Sequence, residues 1–198
     1  MDVRRLKQVV DRVLTSGVPE DKVVWVTELT QCLRKSFYMR KMPVRRTPEM
    51  LLGEVLHRDI LTALAYELNC SAEVPVELDM GDFKLVGRAD LVCDDCVVEL
   101  KISKSRVVRE SWVRQANTYA CILKKPYYYI VVVSDATSVF QYVSDYRLFG
   151  EVLSRARKYY VEHIARGEPP PPEESNLCDL CEFRNLCSNV KDITKFMR

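Results

Sequence analysis

The chain has 198 residues, 47% apolar and 29% charged, enough for one well-buried domain with a small appendage. Its formal net charge is only +2, so any nucleic-acid contact must come from local clusters of Lys and Arg rather than from bulk charge. No run approaches the ~18 consecutive apolar residues of a spanning helix. The opening MDVRRLKQVVDRVL reads as an amphipathic helix rather than a signal peptide, so a soluble, cytoplasmic protein without membrane contact is expected. Eight cysteines in such a chain point to metal ligands or buried apolar residues before disulfides, the intracellular disulfides of hyperthermophiles being the exception.

In chain order, apolar residues at helical spacing cover 1–16, 27–40 and 49–68. Three β-branched or aromatic runs bounded by turn residues follow at 72–78, 83–93 and 96–102. A helix over 105–124, strands over 126–134 and 137–143 and a helix over 145–166 complete the pattern. It predicts an α/β (α+β) fold, a mixed central sheet flanked by helices. GEPPPPEES then makes a stiff linker, since its prolines remove donors and fix φ. The segment after it, CDLCEFRNLC, is too small for an apolar core and needs some other source of order. Three units result: residues 1–48, a core over 49–167, and a tail over 168–198.

The stretch GRADLVCDDCVVELKIS carries the most chemistry. If Asp94 and Asp95 form a two-residue hairpin loop, Cys93 opposes Cys96, Val92 opposes Val97, Leu91 opposes Val98, and Asp90 opposes Glu99. Opposed like charges cost roughly 0.2–1 kcal/mol even when solvated, so the pair calls for a cation. Oxygen ligands suit Mg²⁺ or Mn²⁺, which keep waters that can act as nucleophiles. Lys101, two residues past Glu99, shares its face and can offset charge at a phosphate. The arrangement suits phosphodiester hydrolysis; the plain alternative is an exposed strand face with an ordinary ion pair.

Gln115 and Tyr119 lie four residues apart in the next helix, so both can point back across the hairpin. Gly53 and His57 have the same spacing in the 49–68 helix, where a small residue permits close approach and an imidazole can ligate metal. Taken together, GxxxH, GRxD, ExK and QxxxY in this order resemble the RecB-type branch of the restriction-endonuclease-like, or PD-(D/E)XK, nucleases. The resemblance implies that His57, Asp90, Glu99 and the Leu100 carbonyl hold Mg²⁺ or Mn²⁺. It also implies that Asp90, Glu99, Lys101, Gln115 and Tyr119 form the catalytic set.

Cys178, Cys181 and Cys187 leave a tetrahedral thiolate site one ligand short, and Cys32 is the best candidate for the fourth. Cys70 and Cys121 sit in apolar helical contexts and are expected to be buried as small hydrophobes. Cys93 and Cys96, opposed in the hairpin but pointing away from the catalytic face, suggest a disulfide or plain packing before a second metal site. Spacing alone favours zinc at the four-cysteine site. One cysteine before the nuclease motifs and three after them, however, resembles iron–sulfur nucleases: those of AddB-type helicase–nucleases and the stand-alone RecB-like exonucleases of CRISPR adaptation loci. That second resemblance covers essentially the whole chain. It implies a 4Fe–4S cluster, with 2Fe–2S as the alternative, joining the two ends of the chain. It further implies trimming of single-stranded DNA ends and prespacer processing with the CRISPR integrase complex.

Basic residues recur at Arg34, Lys35, Arg40, Lys41, Arg45 and Arg46, with Phe37 and Tyr38 among them, and again at Lys104, Arg106, Arg109 and Arg114. The first group suits a single-stranded DNA path of stacked bases and paired phosphates; solvated helix faces are the alternative. Competing readings are a non-catalytic zinc- or cluster-bound DNA-binding adaptor, a DNA-repair nuclease of the same fold, and a nuclease acting on RNA.

Overall fold

The computed structural model describes residues 2–15, 17–174 and 178–187. Residues 1 and 16, at the ends of the first predicted helix, and parts of the predicted tail lie outside the described residues. Among the described residues there are six α-helices and six strands: α1 (Val3–Val13), β1 (Val23–Trp25), α2 (Val26–Leu29), α3 (Leu33–Lys41), α4 (Pro48–Leu68), β2 (Ser71–Asp79), β3 (Lys84–Val92), β4 (Cys96–Ile102), α5 (Glu110–Ile122), β5 (Tyr127–Val133), β6 (Thr137–Val143) and α6 (Tyr146–Tyr159). A π-helical turn, Tyr160–Ile164, prolongs α6.

Local chemistry sets the helix ends. Thr47 caps α4 by accepting the Met50 N–H, Pro48 occupies the first turn, and Asn69 ends the helix at φ 53°. Asp145 caps α6 through the Arg147 and Leu148 N–H groups. Two predictions needed correction. The helix expected over 27–40 is two helices, broken at Thr30–Cys32, with Arg40 folding back onto the Glu28 carboxylate in a buried pair at 2.6 Å. The short strand β1, with Val24 wholly buried, was not foreseen; three residues are too few for a periodic signal.

The sheet is mixed, in the order β1-β3-β4-β5-β6, with β2 also on β3. Two antiparallel hairpins, β2–β3 and β5–β6, are joined by β4, which runs antiparallel to β3 and parallel to β5 through the α5 crossover. β4 is buried from Cys96 to Leu100 on both faces, as its unbroken apolar run requires. The larger core lies under α2, α3, α5 and α6 and holds Phe37, Leu85, Ala89, Val97, Tyr119, Ile130 and Tyr159. On the opposite face Leu61 of α4 packs with Leu91, Val98 and Leu100.

One irregularity positions everything that follows. β2 lines a single edge of β3 from Ser71↔Val92 to Asp79↔Lys84. The other edge is shared: β1 pairs in parallel with Lys84–Val86, and β4 pairs only at Leu91↔Val98 and Val92↔Val97. Between them β3 has no strand partner, and the sheet forks. The parity of β3 also switches there, since Ala89 belongs to the larger core and Leu91, two residues on, to the smaller. Opposite this point Glu73 of β2 takes φ 52°, in the left-handed region that non-glycine residues rarely adopt.

Candidate active site

The fork holds Asp90. Of the expected pairs, Leu91↔Val98 and Val92↔Val97 form as the loop at 94–95 dictates, and nearer the turn the Cys93 N–H donates to the Cys96 carbonyl at 3.0 Å. The next expected pair, Asp90 with Glu99, does not. Instead the Asp90 carboxylate Oδ2 accepts the Leu100 N–H at 2.8 Å, a side chain taking the place of a ladder bond where the strands part. From the α4 side, His57 Nε2 lies 3.2 Å from the same Oδ2 and 3.2 Å from the Leu100 carbonyl oxygen. The His57 pKa is raised, chiefly by its bond to Asp90, with burial opposing.

On the α5 side the second acid is fully buried. Lys101 Nζ donates to Glu99 Oε1 at 2.5 Å and to Gln115 Oε1 at 3.1 Å, and Gln115 Nε2 donates to the Tyr119 hydroxyl at 3.4 Å. The other oxygen, Glu99 Oε2, is buried without a hydrogen-bond partner. Burial pushes the Glu99 pKa up to about 7, with the Lys101 charge opposing and the Asp90 charge adding to the rise. Burial likewise raises the Tyr119 hydroxyl above its usual value.

Tyr119 fills the fork itself. A Cβ on Gly87 would fall 2.9 Å from its hydroxyl and 3.0 Å from its Cζ, so only glycine lets the ring pass the strand. The Arg88 backbone lies close enough to this hydroxyl to oppose the rise in its pKa. The glycine of GRxD thus has a packing reason, whereas Gly53 does not: a Cβ there meets nothing, and the residue opens onto a cleft. The close approach expected at Gly53 is absent.

This cleft, about 490 Å³, leads to His57, Leu100 and Lys101. Arg58, Glu73 and Arg88 also line it, and sequence reasoning did not single them out. Arg88 could have been flagged, since it lies two residues before Asp90 in GRxD. Among the described residues no three His, Cys, Asp or Glu side chains converge as metal ligands. The donors that do meet are two side chains and one carbonyl: His57 Nε2, Asp90 Oδ2 and Leu100 O. Neighbouring donors on an ion about 2.1 Å away lie roughly 3 Å apart, so this trio fits a small hard cation. The orphaned Glu99 oxygen is a further buried acceptor, near enough for the Asp90 and His57 charges to act on its carboxyl.

The cysteines behave differently. None of Cys32, Cys178, Cys181 and Cys187 is in a disulfide, and they do not converge as a metal site among the described residues. Their segments do meet: the Tyr38 hydroxyl donates to the Leu186 carbonyl at 3.2 Å, Lys35 pairs with Glu182 at 3.1 Å, and Phe183 packs on Tyr38. Glu173 bridges them, accepting the Leu33 N–H at 3.2 Å while its carbonyl lies 3.8 Å from Cys178 Sγ. Cys121 is buried as expected. Cys70 is not a lone buried thiol: it forms a disulfide with Cys93, tying the end of α4 to the end of β3, and Cys96 stays free and buried. Cys93 therefore bridges to Cys70 and not to Cys96 opposite it, and all three lie at the smaller core.

Several cations of the anticipated DNA path are engaged internally. Arg40 is buried on Glu28 and Phe37 is in the core; Arg45 pairs with Asp11, Arg46 with Glu54, Arg106 with Asp135 and Arg114 with Glu110.

A forked mixed sheet with buried acid, lysine and histidine gathered at the fork is the framework of a nuclease. The chain belongs to the PD-(D/E)XK nuclease superfamily, whose model matches residues 4–188. The crystal structure of SSO0001 is similar at a TM-score of 0.71 and 22% identity, over 92% of this chain and 93% of that one. The alkaline exonuclease LHK-Exo from Laribacter hongkongensis is similar at a TM-score of 0.57 and 11% identity, over 74% of this chain and 89% of that one. LHK-Exo in complex with dAMP gives 0.54 and 14%, over 74% and 89%. At these identities the likeness is one of fold. No curated protein sequence matches the chain. No helix among the described residues is long and apolar enough to cross a membrane.

Proposed function

We propose that this chain is a Mg²⁺- or Mn²⁺-dependent exonuclease acting on single-stranded DNA ends. The observation that carries the reading is the meeting of His57 Nε2 with Asp90 Oδ2 and the Leu100 carbonyl oxygen, each at 3.2 Å; the unpartnered buried oxygen of Glu99 adds to it. His57, Asp90, Glu99 and the Leu100 carbonyl would hold the cation, which supplies charge against the phosphate and a more acidic water. Lys101, fixed between Glu99 and Gln115, is placed to donate to a phosphate oxygen or to steady the attacking water. Tyr119 and Gln115 keep that ammonium aimed at the cleft. The exonuclease character is supported by the fold shared with LHK-Exo.

We further propose that Cys32, Cys178, Cys181 and Cys187 bind an iron–sulfur cluster, 4Fe–4S before 2Fe–2S, that secures the tail on α3. Four cysteines outside any disulfide, on segments already docked together, support it. Prespacer processing with the CRISPR integrase rests on the sequence resemblance. The test is anaerobic purification, iron and zinc analysis, and an assay of end-labelled single-stranded DNA and RNA with Mn²⁺, comparing wild type with Glu99→Ala. Iron-bearing protein that degrades DNA only with metal and Glu99 supports the proposal. Zinc-loaded protein that leaves DNA intact supports the adaptor reading instead.

A further inference from the structure

The cleft that leads to the fork has cationic side chains on two walls. Arg58 projects from α4 one residue past His57, and Arg88 from β3 two residues before Asp90, and both line the same space as Lys101. Lys101 is committed to Glu99 and Gln115. The Arg58 guanidinium, by contrast, has no hydrogen bond or ion pair among the described residues. Arg88 has only Glu73, at 3.5 Å, a long contact between side chains 62% and 40% exposed. Such a pair contributes little to stability, about 0–1 kcal/mol, so stability does not explain why two guanidinium groups face the cleft. Neither was needed to describe the acid–lysine–histidine group.

We propose that Arg58 and Arg88 form a two-walled binding site for a backbone phosphate of the single strand, adjoining the phosphate to be cleaved, and that Glu73 is a resident counter-charge which this phosphate displaces. The inference rests on the nuclease reading above and deepens it by naming what aligns the strand. Guanidinium is the suitable group, because its fork of donors matches two phosphate oxygens. The placement suits the task as well: each arginine is next to, or two residues from, a residue of the proposed metal site, so a phosphate held by both is in register with the fork. Glu73 stands on β2 opposite the point where β3 changes parity, in a left-handed backbone conformation that aims its carboxylate at Arg88. A carboxylate there holds Arg88 within the empty cleft and gives way to the more highly charged ligand.

The test uses the full chain and fluorescein-labelled oligothymidine, with binding followed by anisotropy in EDTA over a range of salt, and cleavage followed separately with Mn²⁺. Arg58→Gln and Arg88→Gln should each weaken binding about tenfold and lower the slope of log affinity against log salt by about 0.7, one phosphate contact on a single strand. Glu73→Gln should tighten binding. Replacing single phosphates by neutral methylphosphonates should reveal one position whose neutralisation harms the wild type but not Arg88→Gln, a coupling that a merely structural arginine does not produce. Arg58→Lys, which keeps charge without the fork, should recover the slope but not the full affinity. Wild-type affinity and slope in both glutamine variants, with cleavage intact, would overturn the phosphate site and leave the nuclease reading standing. A wild type that neither binds nor cuts the oligonucleotide would overturn both.

Discussion

The forked sheet and the cysteine-bearing tail are both announced by strong sequence motifs, yet only the first is assembled by the chain on its own. At the fork, donor atoms meet because strand register puts them there: the hairpin turn fixes Leu91 against Val98, and Asp90 and Leu100 follow within hydrogen-bond reach. Packing of Leu61 against Leu91 and Leu100 then brings α4, and His57 with it, onto the same point. Burial of apolar surface thus supplies the free energy that crowds two acids together. The tail has little of this source, chiefly Phe183 packed on Tyr38. Its short turns, Cys181 N–H to Cys178 carbonyl and Cys187 N–H to Arg184 carbonyl, present thiols without bringing four of them together. A site made by a fold can precede its metal; a site made by a few turns needs its metal to exist.

The largest expected effects break the first region. Asp90→Asn or Glu99→Ala should lower single-stranded DNA cleavage by about 10³-fold or more, read as kcat with Mn²⁺, with melting temperature unchanged or raised. Gly87→Ala should be nearly as damaging for a different reason. Its new Cβ would collide with the Tyr119 ring, so a loss of about 2–3 kcal/mol in urea unfolding should accompany the loss of activity. A Gly87→Ala variant of normal stability would mean that Tyr119 does not close the fork. In the tail, Cys181→Ser should remove iron and expose residues 178–187 to proteolysis while the sheet stays resistant. Simultaneous unfolding of the sheet would erase the distinction between the regions.

The same contrast explains what could be read from the sequence. The mixed sheet, the hairpin register and the grouping of Gln115 and Tyr119 with Lys101 were legible because each follows from a period or a turn length. The end of pairing at Asp90 was not, because a fork depends on β1 competing for the other end of the same strand edge, and β1 itself is only Val23–Trp25. Arg58 was missed because an exposed arginine has no local signature; Arg88 stands within GRxD, but only the cleft gives either of them a role. The burial of Arg40 was hidden similarly, since its partner Glu28 lies in a helix that the sequence merges with its own.

The disulfide offers a smaller test of how far the fold alone holds the fork. Cys70 and Cys93 close a loop with a sequence separation of 23, for which chain entropy predicts about 3 kcal/mol. Cys93→Ala with Cys70→Ala should lower stability by about 2–3 kcal/mol, residual structure in the unfolded chain reducing the entropic part while the lost sulfur contacts at the smaller core add to it. Cleavage measured at 25 °C should persist, since His57 is seated by the apolar contacts of α4 rather than by the bridge. Loss of activity without loss of folding would show that the bridge, not the packing, sets the distance between His57 and Asp90.

The smallest effect bears most directly on the idea that the fold accumulates unfavourable charge at the fork. Glu99 has an ordinary carboxyl value of 4.5 in the unfolded chain and about 7 in the native one. Below about pH 4.5 both states hold the proton and burial carries no electrostatic penalty. As pH rises towards 7 the unfolded chain ionises first while the native carboxyl stays protonated, so the unfolded state is favoured and stability falls, levelling off above pH 7. Glu99→Gln removes this slope. It should therefore be more stable than wild type at pH 8 by about 1 kcal/mol, the gain being limited because Lys101 loses its closest partner, and the difference should vanish near pH 4. Mn²⁺ at pH 8 should reverse the order, stabilising wild type and not the glutamine variant, because the orphaned oxygen that makes Glu99 costly in the empty fold is the one that a cation would take up. If calorimetry shows the two proteins equally stabilised by Mn²⁺, Glu99 is not part of the metal site and the acid at the fork serves only to hold Lys101.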